Sequence, residues 1–104
     1  MIRPSETLVG THLNSVWLEG TLDEDPVDQG GPEKPLCLFP LRTLVPRDGE
    51  SGSVFQIEAP ESALFGCRSR LTRGRPVRII GRLRQQRNQT TIVGELVEAM
   101  VARV

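Results

Sequence analysis

Tyrosine is absent from this chain, and aromatic residues of every kind make up 4% of it: one Trp and three Phe. A core must therefore be built from aliphatic side chains. The two cysteines, Cys37 and Cys67, form no CxxC, and His12 is the sole imidazole. That usage fits a reducing compartment and speaks against a metal centre. No apolar run approaches the ~20 residues that span a bilayer, and the N-terminus has no signal-peptide core. The expectation is a soluble cytoplasmic protein without a membrane partner. No GxSxG, Walker sequence or Ser/His/Asp arrangement occurs, so the chain reads as a non-enzyme without cofactor. Asp23, Glu24 and Asp25 read as a solvated turn, since their spacing is not repeated as in a cation loop.

The 104 residues suffice for one domain with a modest core. Formal net charge is zero, from 13 basic and 13 acidic residues, but the charges are segregated. Arg68 to Arg87 holds eight arginines and no carboxylate, while Glu19 to Glu33 holds six carboxylates and no base. A nearby ligand feels that local field rather than the total. All of the bases except Lys34 are arginine, whose planar fork suits phosphate oxygens and stacks on bases. Genome composition produces the same bias without any function.

The organising stretch is TRGRPVRIIGRLRQQR, Thr72 to Arg87. Gly74 and Pro76 mark a turn, after which Val77, Ile79, Gly81 and Leu83 alternate with Arg78, Ile80, Arg82 and Arg84. That period predicts a β-strand with one apolar and one mostly cationic face. Before it, Leu13–Leu22 reads as a first strand, with Gly20 marking a bulge or bend. Val27–Pro35 reads as a solvated hairpin loop. Leu36–Val45 reads as a second strand, placed at an edge or bulged because Pro40 cannot donate to a ladder. Ser53–Ala59 reads as a third strand, carrying Phe55 and Ile57 on one face. Pro60–Leu71 is a weak helix of two or three turns, with Pro60 at its first position and Gly66 against it. A turn at Gln86–Gln89 leads to a last strand over Thr90–Val101, and residues 1–12 read as a loose arm or edge strand. Five strands with one short helix between the third and fourth is the order of a Greek-key OB-fold barrel.

Three segments resemble bacterial single-stranded DNA-binding proteins and their shorter primosomal relatives. Asn14 to Pro26, NSVWLEGTLDEDP, is similar to the family's opening strand; Leu71 to Leu83, LTRGRPVRIIGRL, to its KKG–apolar–GRL segment; and Val93 to Ala99, VGELVEA, to its closing strand. The resemblance implies an OB-fold that binds single-stranded DNA without strong sequence preference, in replication, repair or recombination, in the cytoplasm at the nucleoid. It implies a homodimer or homotetramer in which the first strand pairs with its symmetry mate, placing Ser15, Trp17 and Glu19 at the contact. A replication or primosome protein is a further implied partner. The DNA-binding candidates are Arg42, Arg47, Phe55, Arg73, Arg75, Arg78, Arg82, Arg84 and Arg87. Phe55 lies near the family's stacking aromatic.

A competing expectation comes from the few aromatics, because the family grips bases on aromatic platforms. On that reading the barrel is a degenerate structural or protein-interaction module with weak or no DNA binding. The Gly-rich linker and acidic C-terminal tail of full-length family members do not occur in this sequence: either it ends before them, or it resembles the tail-less primosomal relatives.

Overall fold

The computed structural model describes residues 14–43 and 52–101. Its elements are β1 (Val16–Leu22), β2 (Val27–Gln29), β3 (Leu36–Thr43), β4 (Val54–Pro60), α1 (Glu61–Leu64), a 3-10 turn (Arg68–Arg70), β5 (Pro76–Gln86) and β6 (Gln89–Ala99). The sheet order is β1-β5-β6-β4-β3-β2, and an added β1–β3 pairing closes five of these strands into a barrel. All pairings are antiparallel except the short β4–β6 seam, Ile57 with Ile92 and Glu58 with Val93. This is the expected all-β OB-fold, with its single α-helical turn between β4 and β5, the third and fourth strands of the barrel.

Period-two alternation fills the interior. Cys37, Phe39 and Leu41 from β3, Ile57 and Ala59 from β4, Val77 and Ile79 from β5, and Ile92 and Val97 from β6 are all buried. Ala63 and Leu64 of α1, with Cys67 and Leu71 beyond it, join the same cluster. No polar side chain is buried among the described residues. Aliphatic burial at about 25 cal/mol per Å² is thus the main source of stability.

Four local expectations are corrected. Pro40 sits in an unbroken strand, pairing with Gln56 across β3–β4. Its carbonyl accepts from the Asp23 N–H at 2.8 Å. A strand residue's N and C=O point the same way, so the missing donor faces the turn after β1 rather than β4. Gly20 marks no bulge, since both ladders of β1 run in continuous register. A Cβ there would overlap the Arg42 carbonyl, so the glycine permits the close approach at which β1 meets β3. Val27–Gln29 is a strand that pairs with Leu36–Leu38, which narrows the hairpin loop. The helix is one turn, with Pro60 as its N-cap. Phe65 (φ 49°) and Gly66 (φ 77°) then turn left-handed and stop it.

Candidate nucleic-acid interface

Register decides which arginines share a face. On β5, Val77 and Ile79 point inward, so Arg78, Arg82 and Arg84 point outward. A shift in the β5–β6 ladder at Ile80/Gly81 inserts Glu95 as an extra residue in β6 and keeps Arg82 opposite Val93 and Arg84 opposite Thr91. The three arginines therefore lie on one outer surface, but their surroundings differ.

Arg78 is tied across the ladder to Glu19 at 2.9 Å. Arg84 is paired with Glu58 on β4, two strands away. Arg82 and Arg87 have no carboxylate partner among the described residues. Arg87 sits at the tip of the β5–β6 hairpin, where Arg87 and Asn88 have φ of 49° and 66°. Positive φ at both positions matches the twist of a two-residue hairpin connection. Around this end, Glu58, Arg84, Gln86, Arg87, Gln89 and Thr91 line a cleft of about 370 Å³.

The remaining candidates lie elsewhere. Arg73 and Arg75 flank the turn that begins β5, at the opposite end from Arg87. The Arg73 N–H donates to Asp25 at 2.8 Å. The Arg75 guanidinium bonds the carbonyls of Arg70 (3.1 Å) and Met100 (3.4 Å). Arg42 pairs with Asp23 at 2.8 Å. The Arg42 hydrogen bond holds the Asp23 carboxyl below its ordinary value, and Asp23 in turn raises Arg42. Arg42, a DNA-binding candidate, thus stands on β3 bound to the acidic turn that follows β1. Asp23, Glu24 and Asp25 rim a second cleft of about 410 Å³, floored by Leu38, Pro40 and Val54. That acidic rim repels phosphate. Arg47 lies outside the described residues.

Among the aromatics, Phe55 packs against the core from the inner face, opposite Leu41. It is not presented on the outer surface as a stacking platform. Phe39 is fully buried, whereas Phe65 is 69% exposed. Trp17 is 71% exposed, and its indole N–H donates to the Ser15 hydroxyl at 3.2 Å. Its cross-strand neighbours Ile80 and Leu96 complete an apolar row over β1, β5 and β6. Next to that row runs the charged row Glu19, Arg78, Glu98.

Sequence reasoning missed Glu58, Gln86, Gln89 and Thr91. The parity signal existed for the hairpin residues, because Gln86 and Gln89 flank the turn on the face that bears Arg84. Glu58 carried no such signal, since its neighbour is 26 residues away along the chain.

The closed five-stranded barrel, with its helix between the third and fourth barrel strands, defines an OB-fold protein. No family model matches the sequence, and no curated protein matches it. Solved structures do. The N-terminal domain of PriB from Thermoanaerobacter tencongensis, described as dimeric, superposes with a TM-score of 0.71 at 21% identity, over 86% of this chain and 98% of that one. The wild-type single-stranded DNA binding protein from Thermus aquaticus gives 0.72 at 26% identity, over 88% of this chain but 42% of that one. The second single-stranded DNA binding protein of Mycobacterium smegmatis gives 0.73 at 17% identity, over 88% and 96%. This chain thus spans less than half of the Thermus protein. The Thermus neighbour supports the likeness to single-stranded DNA-binding proteins that three sequence segments suggested, while the PriB and Mycobacterium structures share the fold. Among the described residues, no helix is long and apolar enough to cross a membrane, and no group of three or more His, Cys, Asp and Glu gathers as a metal site.

Proposed function

We propose that this chain binds single-stranded DNA without strong sequence preference, as a self-associated barrel in replication, repair or recombination. The observation that carries the reading is the hairpin end of β5–β6. There Arg82, Arg84 and Arg87 stand together on the outer surface of a barrel whose structural neighbours include single-stranded DNA binding proteins. Exposed ion pairs contribute little, about 0–1 kcal/mol, so a phosphate competes for Arg78 at small cost. Arg73, Arg75 and Arg42 then act as peripheral contacts. Each phosphate neutralised contributes a salt slope of about −0.7 on single strands.

Self-association is assigned to the flank of Trp17. Residues Val16 to Glu19 pair with β5 on one edge and with no described strand on the other. An open edge beside an exposed indole invites a symmetry mate. Ser15 and Glu19 complete that contact, and a replication or primosome protein is a second partner. The expected site is the cytoplasm, at the nucleoid.

A labelled oligo(dT) titrated at low and high salt tests the reading. Salt-sensitive binding that weakens and loses slope in Arg82→Glu/Arg87→Glu supports it, and no binding at low salt removes it. The alternative, a barrel that holds a protein rather than DNA, is favoured by the ion pairs that occupy Arg42, Arg78 and Arg84. The second outcome selects it.

A further inference from the structure

We propose that the cleft between the β5–β6 hairpin and Glu58 reads one nucleobase of the bound strand, with guanine preferred. This rests on the single-strand reading above and adds a position of base discrimination to it.

Three adjacent strands build the cleft. Ladder register puts Glu58 beside Val93, Arg84 opposite Thr91, and Gln86 opposite Gln89, all on the outer surface. Of the four carboxylates in ion pairs among the described residues, Glu58 is the least exposed: its side chain is 18% accessible, against 33% for Asp23, 47% for Glu19 and 69% for Asp28. A carboxylate drawn out of water is costly unless its oxygens find donors. Arg84 Nη2 supplies one, at Oε2. Oε1 of Glu58, and Nε and Nη1 of Arg84, have no partner among the described residues. The pair therefore offers an unused acceptor directly beside unused donors, at the edge of a cleft of about 370 Å³.

That pattern fits the Watson–Crick edge of guanine. Its N1–H and N2 amine are two parallel donors suited to a carboxylate, and its O6 alongside accepts from a guanidinium. Thymine (N3–H beside O4), adenine (N6 amine beside N1) and cytosine (N4 amine beside N3) each present one donor next to one acceptor, so each gives the carboxylate one hydrogen bond fewer than guanine does. A carboxylate has about four acceptor sites and can keep Arg84 while accepting a base. The cleft contains no aromatic, so the planar guanidinium of Arg87 at the hairpin tip is the surface on which the base stacks.

The test uses the full chain and oligo(dT) probes in which one central thymidine is replaced by deoxyguanosine or by deoxyinosine, which lacks the N2 amine. Guanine is expected to bind on the order of tenfold tighter than thymine, the discrimination of one good bidentate contact, and inosine is expected to lose most of the gain. In Glu58→Gln, confirmed folded by thermal unfolding, the guanine-to-thymine ratio is expected to fall towards one. Equal affinity for guanine, inosine and thymine in the unaltered protein overturns the inference and leaves general strand binding intact. A guanine preference that Glu58→Gln does not change also overturns it. If no oligonucleotide binds at low salt, the strand-binding reading has failed. Titration with dGMP and dTMP then judges the cleft alone: amide shifts at Gln89 and Thr91 with dGMP only support it, and none overturn it.

Discussion

The side chain of Asn14 does for Leu83 what a strand partner would do. Its Nδ2 donates to the Leu83 carbonyl at 2.9 Å, and its Oδ1 accepts the Leu83 N–H at 2.9 Å. The β1–β5 ladder ends at Val16 and Gly81, so this amide extends it by one exchange of hydrogen bonds. Asn14→Ala is expected to lower stability by about 1–2 kcal/mol, the net value of two such bonds. Asn14→Asp is expected to do no better, because a carboxylate faces the Leu83 carbonyl without a donor. Urea unfolding of the three proteins checks both.

Gly20 and Gly31 make a matched pair of glycines. A Cβ at Gly20 would overlap the Arg42 carbonyl, whereas one at Gly31 meets nothing within 4 Å. Gly20→Ala is expected to cost about 3 kcal/mol, near the upper range for forcing atoms into a packed contact. Gly31→Ala is expected to be neutral or to stabilise by about 0.5 kcal/mol, by restricting the unfolded chain. Thermal unfolding of the two variants separates a positional requirement from a general intolerance of substitution.

Acid weakens the fold through Asp28. Arg68 grips it with two bonds of 2.9 Å and joins β2 to the 3-10 turn. The hydrogen bond to Arg68 lowers the Asp28 carboxyl below its ordinary 3.8. A carboxyl lowered in the folded state stabilises above its unfolded value, and that contribution disappears as pH falls through the lower folded value. Asp28→Asn is therefore expected to lose less of its urea midpoint than the unaltered protein between pH 7 and about pH 3.

Trp17 is expected to control assembly rather than folding. Its 71% exposure in the single chain leaves little burial to lose, and Ile80 and Leu96 beside it form an apolar row. Trp17→Glu is expected to halve the particle mass measured by light scattering. The folded signal by circular dichroism is expected to persist at high protein concentration.

Much of the barrel was legible because alternation is a one-dimensional signal. Val77 and Ile79 against Arg78 fixed the faces of β5, and Phe39 and Leu41 against Pro40 did the same for β3. The failures came from geometry that the chain order does not carry. Pro40 reads as an edge or a bulge because sequence does not tell which way a missing donor points. The helix is shorter than its sequence suggests because the apolar spacing continues through Leu71, while Phe65 and Gly66 turn left-handed. Arginine density was legible too, but not its division. The partners of Arg78 and Arg84, Glu19 and Glu58, come from strands far off in sequence. They decide which guanidinium groups stand ready for a polyanion.

The connection at Arg87 and Asn88 has left-handed backbone at both positions and no glycine, a shape that costs about 1–2 kcal/mol per residue and that the flanking ladder must hold in place. With β5 and β6 each 11 residues long and joined by that turn, the hairpin side of the cleft is held by their ladder and faces Glu58 on β4. A ligand arriving there meets a shape already made, and little ordering entropy is charged against it. Differences between ligands at this end of the barrel then register chiefly as residence time, with encounter rates set by the surrounding charge.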